Sequence, residues 1–193
     1  MGDSFSQNKI RGSIAESACE EHFRLLGYTI ERTGIEHVAP VFAEKIGSTK
    51  LHDTYGKGMS AYLRSIPDFI VSRFKGGRTQ AMFVDAKFRY CHSPEQLKQV
   101  QVELSKQIAT YKETHGETLI YLVTNPTIND YNKGLDNISL VWLLWSGSPS
   151  KWVPVRESSQ YSIYVENDGC SLATIYRNEI HPALLGIFGQ KSN

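Results

Sequence analysis

The chain has 193 residues, 40% hydrophobic and 21% charged, which supplies enough apolar surface for one sizeable core and argues against wholesale disorder. Its 21 Lys and Arg against 20 Asp and Glu leave a formal charge of +1, so the molecule as a whole is neither a strong polycation nor a polyanion. Cys19, Cys91 and Cys170 stand far apart with no CxxC pair, a pattern that speaks against a zinc finger, an iron–sulfur site or a disulfide framework.

Residues 12–26 are expected to form an amphipathic helix. Ile14, Ala15, Ala18, Cys19, Phe23, Leu25 and Leu26 approximate one apolar face, Ser13 with Glu16 three residues later reads as a capping box, and Gly27 ends the run. Residues 28–33 follow as a strand. Residues 34–65 are broken by Gly47, Gly56 and Gly58 and read as a loop-rich excursion with one short helix, of a length that is often functional inside a compact domain. Two strands come next, 67–74 and 80–89, joined by Lys75-Gly76-Gly77-Arg78, whose Gly-Gly pair supports a hairpin turn.

Residues 94–115 carry Leu97, Val100, Leu104, Ile108 and Tyr111 as one stripe of an otherwise polar helix. The apolar, β-rich runs 118–124 and 140–145 read as buried strands. Beyond Ser146 the chain turns rich in Gly, Ser and Pro, with strand-like pieces at 152–155 and 161–165 and a last apolar stretch, 180–188, expected to pack back on the body. The order predicts a single α/β (α+β) domain over 1–193: a mixed central sheet flanked by helices, a core at about 11–146, and 147–193 as an extension of the same domain.

The charge is unevenly spread. Residues 40–112 hold twelve Lys or Arg against six Asp or Glu, whereas 116–193 hold five against seven, so the middle can offer a positive face to a polyanion. The longest apolar run, 140–145, is too short to span a bilayer, and the N-terminus lacks an apolar signal core. Met1-Gly2-Asp3-Ser4-Phe5-Ser6 fits a myristoylation pattern only loosely and without a second membrane signal. The expectation is a soluble, cytoplasmic protein with no membrane partner.

Three short pieces carry chemistry: Ile66-Pro67-Asp68-Phe69, Val84-Asp85-Ala86-Lys87 and Gln107-Ile108-Ala109-Thr110-Tyr111. Residues two apart on a strand share a face, so Asp85 and Lys87 project together while Ala86 offers its carbonyl. Asp68 can approach Asp85 across the hairpin. Two carboxylates and a carbonyl are hard oxygen donors of the kind Mg²⁺ takes, with Mn²⁺ as a substitute. Lys87 beside them can orient a water or offset charge growing on a phosphate. Charged groups among Phe69, Ile70, Val71, Met82, Phe83 and Val84 need such a partner; the competing view is a pair of exposed strand ends with a surface Asp–Lys contact.

These pieces, in this order on these elements, resemble the PD-(D/E)xK nuclease superfamily over residues 11–125, and within it the subset that carries a QxxxY signature. The resemblance implies a restriction endonuclease-like core of helix, three strands, helix and strand. It implies a metal held by Asp68, Asp85, the Ala86 carbonyl and Glu16, and catalytic roles for Glu16, Asp68, Asp85, Lys87, Gln107 and Tyr111. Each added match has a plain alternative: Glu16 as part of a capping box, Tyr111 as core packing, Gln107 as a surface residue. The relatives that bind an iron–sulfur cluster need four cysteines, which this chain does not have.

The expected activity is Mg²⁺-dependent hydrolysis of DNA phosphodiesters, in the manner of a nuclease from a phage or mobile element. Lys50, Lys57, Arg64, Arg89 and Lys106 are candidates for phosphate contact. Tyr55, Tyr62 and Tyr90 could stack on unpaired bases. The DNA could be branched or single-stranded, and the tail after 147 could serve a homodimer edge. His52, His92 and His115 show no ligand spacing. The rivals are a nucleic-acid-binding or adaptor protein of the same fold with a weak site, and an RNA-directed nuclease.

Overall fold

Gly76 and Gly77 take φ of 61° and 76°, the left-handed values that a tight two-residue hairpin turn requires at both central positions. The computed structural model describes residues 5–34, 66–127, 130, 134–135, 138–147, 151–160, 165–167 and 170–188. In it the Gly-Gly turn joins β2 (Phe69–Lys75) to β3 (Arg78–Arg89), paired from Phe69 opposite Val84 to Lys75 opposite Arg78. β1 (Thr29–Arg32) runs antiparallel along the other edge of β2. β4 (Thr118–Thr124) lies parallel to β3, and β5 (Val141–Trp145) and the short β6 (Val153–Pro154) complete a mixed sheet in the order β1-β2-β3-β4-β5-β6.

A parallel neighbour demands a crossover, and α2 (Pro94–His115) supplies it. Its ends lie where the sequence places them. Ser93 caps the first turn by accepting from the Gln96 amide, Pro94 occupies the first helical position, and Gly116 ends the helix at φ 84°. Leu104, Ile108 and Tyr111 are buried, with Leu97 and Val100 packed beside them against Ile120, Leu122 and Leu144 of one sheet face.

The other face takes α1 (Phe5–Leu25), through Ala15, Cys19, Phe23 and the following Leu26, which meet Phe69, Val71, Val84, Leu119, Tyr121 and Val123. All seven residues of β4 are buried, so its sequence reads as an unbroken apolar run rather than an alternation. The molecule is therefore α+β, with helices on both faces of a mixed six-stranded sheet. Among the described residues no helix is long and apolar enough to cross a membrane.

α1 begins at Phe5, well before the expected residue 12. Residues 5–11 contain no Gly or Pro, and the lone Gly12 costs a helix interior only about 1 kcal/mol, too little to stop it. Ser13 and Glu16 consequently sit inside the helix and form no capping box. Residues 152–155 give only the two-residue β6, followed by a 3₁₀ turn over Val155–Gln160. The strand expected at 161–165 falls largely outside the described residues.

After the β7–β8 ribbon (Val165–Asn167, Cys170–Ser171) comes α3 (Leu172–Ile175), a π-helical turn (Tyr176–Ile180) and α4 (His181–Phe188). This segment returns to the α1 side of the core, as expected for the last apolar stretch, and buries Leu172, Ile175, Tyr176, Ile180 and Leu184 there. Two polar ties hold it. The Leu140 amide donates to the Tyr176 hydroxyl at 2.7 Å. His22 of α1, wholly buried, places Nδ1 2.9 Å from the Tyr121 hydroxyl and Nε2 2.8 Å from the Leu172 carbonyl.

Candidate active site

β3 outruns β2. Pairing between them stops at Phe69–Val84, and continuing the register one step sets Asp68 opposite Asp85. Backbone bonds pin Asp68 there: Thr33 and Gly34 both donate to its carbonyl, at 2.8 and 3.3 Å. Its carboxylate Oδ2 then accepts from the Ala86 amide at 2.8 Å, replacing the strand partner that β3 lacks at this point. The N–H and C=O of one residue project to the same side of an extended strand, so the Ala86 carbonyl also faces the Asp68 edge.

Asp85 and Lys87 lie opposite Ile120 and Leu122, on the face covered by α2. Asp85 is only 1% exposed, and a carboxylate so deep requires compensation. Lys87 Nζ donates to its Oδ1 at 2.7 Å, and the Tyr111 hydroxyl donates to its Oδ2 at 3.0 Å. Lys87 Nζ also lies 4.0 Å from Asp68 Oδ2. Asp68, just before β2, Asp85 and Lys87 of β3, and Tyr111 of α2 thus form one connected polar cluster.

The electrostatics follow from burial. Asp68 is pushed up to about 7, first by desolvation and then by Asp85 and Glu16 nearby, with Lys87 and the Ala86 amide pulling the other way. Burial works against the Lys87 ammonium, yet Asp85 and then Asp68 more than offset it and raise its pKa. Burial, then Asp85, raises that of the Tyr111 hydroxyl, which stays protonated as a donor. Tyr111→Phe removes one hydrogen bond to a buried charge, an expected loss of about 2 kcal/mol of stability measured by denaturant unfolding.

An open hollow of about 440 Å³ runs beside the unpaired edge of β3, lined among others by Arg11, Glu16, Asp68, Lys87, Arg89 and Tyr90. Glu16 therefore reaches the site, but its Oε2 is held 3.1 Å from Arg32 Nη1. Gln107 is exposed on α2 and makes no hydrogen bond among the described residues, so the QxxxY pair is divided: Tyr111 joins the cluster and Gln107 does not. Arg89 lines the hollow, whereas Lys106 is exposed and does not. Lys50, Lys57 and Arg64, with His52, Tyr55 and Tyr62, lie outside the described residues.

The sequence reading missed Arg11, because the helix was started one residue too late to include it. Spacing gave no signal, since residues five apart on a helix stand about 140° from each other around its axis. It also passed over His22, although Ala15, Cys19, His22 and Leu26 recur at the helical spacing of the buried stripe.

Among the described residues no three His, Cys, Asp or Glu side chains gather into a set that could hold a metal ion. Asp68 and Asp85 bring two carboxylates, hard oxygen donors, to neighbouring strand ends, and both Asp85 oxygens are engaged, by Lys87 and by Tyr111. No family model matches the sequence, and neither a curated protein nor a solved structure matches it.

Proposed function

We propose that the chain is a Mg²⁺-dependent nuclease hydrolysing DNA phosphodiester bonds, with a restriction endonuclease-like core and a PD-(D/E)xK site. One observation carries this reading: a buried Asp85 held between Lys87 and Tyr111, facing Asp68 where β3 outruns its neighbour. Asp68, Asp85 and the Ala86 carbonyl would hold the ion, with Mn²⁺ able to substitute. When bound, the ion polarises the phosphate and acidifies a water. Tyr111 fixes the Asp85 carboxylate. The Lys87 ammonium, kept protonated by both acids, offsets charge accumulating on the phosphate oxygens.

The direct test is incubation with duplex, branched and single-stranded DNA and with RNA, in Mg²⁺, Mn²⁺, Ca²⁺ or chelator. Cleavage in Mg²⁺ that chelator abolishes is expected; no cleavage under any condition removes the enzyme reading.

Asp68 sets the pH dependence. Its folded pKa, about 7, stands above the ordinary carboxylate value, so without metal the folded state gains from its proton at low pH and loses stability as pH rises through about 7. A cation that needs the ionised carboxylate reverses the trend. The rise in melting temperature on adding Mg²⁺ is expected to be larger at pH 8 than at pH 6, by scanning fluorimetry, and Asp68→Asn is expected to abolish the difference. An equal rise at both pH values would remove Asp68 as a ligand.

A second reading, a nucleic-acid-binding protein of this fold with a weak site, is favoured by the engagement of Glu16 with Arg32 and by the exposure of Gln107. It predicts DNA binding without cleavage and no Mg²⁺ effect on melting.

A further inference from the structure

Ala86 and Phe88 alternate along β3 toward the α1 side, and Tyr90, one residue past the end of the strand, continues the alternation. The first two are buried at 7% and 8% exposure, but Tyr90 is 46% exposed. The inward row of the strand therefore ends in an aromatic ring that the core does not cover. The ring forms a wall of the hollow that holds Asp68 and Lys87. It equally forms a wall of a second hollow of about 220 Å³, whose lining includes His92, Asn125, Pro126 and Phe188. It is the partition between the two.

Two arginines stand beside it, in a hollow that also carries Glu16 and Asp68. The Arg11 guanidinium lies 5.4 Å from the ring centroid, and Arg89 is its neighbour in the first hollow. The His92 ring stands against it at 4.8 Å, tilted by 71°. A planar cation over a half-exposed ring, beside the candidate site for a scissile phosphate, marks a surface suited to a flat, electron-rich ring attached to a phosphate.

We propose that Tyr90 is a stacking platform for an unpaired base next to the scissile phosphate, with Arg11 and Arg89 on the flanking backbone, making single-stranded polynucleotide the preferred substrate. The inference rests on the nuclease reading for the position of that phosphate. In a duplex the bases are already stacked and paired, so the ring has nothing to receive. The second hollow provides the space beyond the ring, with Pro126 and Phe188 as apolar walls. The Asn125 amide is already committed, accepting from the Cys91 amide and donating to the Cys91 and Pro126 carbonyls. It has little capacity left to read a base edge, so the platform is tolerant of sequence.

The test is binding by fluorescence anisotropy, in Ca²⁺ to hold off cleavage, of a labelled dodecathymidylate, a dodecauridylate and a blunt DNA hairpin closed by a non-nucleotide linker, which has no unpaired base. Tyr90→Ala is expected to weaken single-strand binding about 10-fold, the worth of one base–aromatic stack, and Tyr90→Phe to stay within about 2-fold of the parent. Hairpin binding should be the same in all three proteins. Arg11→Ala is expected to reduce the slope of log affinity against log salt by about 0.7, one single-strand phosphate. Tyr90 dependence with either dodecamer supports the platform, and the tighter of the two names the sugar.

Tyr90→Ala binding single strand as tightly as the parent, or losing single strand and hairpin alike, overturns it. Matching melting temperatures for the three proteins guard against misfolding, with Tyr90→Phe as the fold-preserving control. Tyr90-dependent binding by a protein that cuts nothing would end the nuclease reading and leave the platform standing. Cleavage with no Tyr90 dependence would do the reverse.

Discussion

Asp85→Asn is expected to lower the proposed Mg²⁺-dependent cleavage by about 10³-fold or more, since it removes a preorganised charge that in that reaction would hold the ion and that raises the pKa of Lys87. The replacement preserves volume and still offers one oxygen, but its amide now faces either the Lys87 ammonium at the former 2.7 Å contact or the Tyr111 hydroxyl. Lys87→Ala is expected to lose as much by the opposite route, stranding a carboxylate that is 1% exposed. Breaking a buried pair from either side costs stability, about 3–5 kcal/mol, so circular dichroism melts must accompany the kinetics. Lys87→Arg should not rescue, because a planar fork does not reproduce a point charge in so confined a place. Nucleic-acid binding should survive Asp85→Asn or tighten slightly, one negative charge having gone. Cleavage by folded Asp85→Asn and Lys87→Ala at the parent rate in Mg²⁺ would end the nuclease assignment.

A comparable effect on stability is expected at His22, away from the candidate chemistry. Its two ring nitrogens tie α1 to β4 and to the start of α3. His22→Ala leaves the Tyr121 hydroxyl and the Leu172 carbonyl without that partner and opens a cavity, an expected loss of about 3–4 kcal/mol or roughly 10 °C in melting temperature. Burial drives the pKa of His22 down to about 4, with the Leu172 carbonyl opposing. A depressed histidine favours its neutral form in the folded state. Its contribution is complete above about 6.5, the unfolded value, and drains away as pH falls through about 4, a span of about 3 kcal/mol. Asp68 acts in the opposite sense across nearly the same window. Without metal the parent should therefore show a shallow stability–pH curve, His22→Ala one that falls with rising pH, and Asp68→Asn one that rises. Denaturant midpoints between pH 4 and 8 decide this. A His22→Ala curve parallel to the parent would place His22 outside the titration.

Most of the sheet was legible because its signals are local. The Gly-Gly turn, the alternation around Asp85 and the capped, Pro-started α2 each announce an element without reference to the rest. The site was legible to the same depth: the hairpin register that sets Asp68 opposite Asp85 follows from the turn, and the bond from Tyr111 follows from the helix stripe crossing back over β3. What could not be read from the sequence depended on tertiary neighbours. Gln107 shares a helix with Tyr111, but two residues four apart differ by about 40° around the axis, enough for one to enter the cluster and the other to face solvent. Glu16 was expected to serve a metal or a cap; the chain folds Arg32 of β1 onto it, a pairing that no spacing along the sequence could reveal. His22 hid because a histidine on an apolar stripe looks like an interruption until its two partners are in view.

The clamp on the Asp68 carbonyl has a consequence for descent. Thr33 and Gly34 cinch together the points where the chain leaves β1 and re-enters β2, so the stretch between residues 34 and 66 is closed at its base whatever its length. Loop closure grows only logarithmically, ~0.6 kcal/mol for each doubling. A change of length there adds little to the closure cost of pairing β1 with β2, so a lineage built on this scaffold can vary that stretch while the register of the hairpin stays the same.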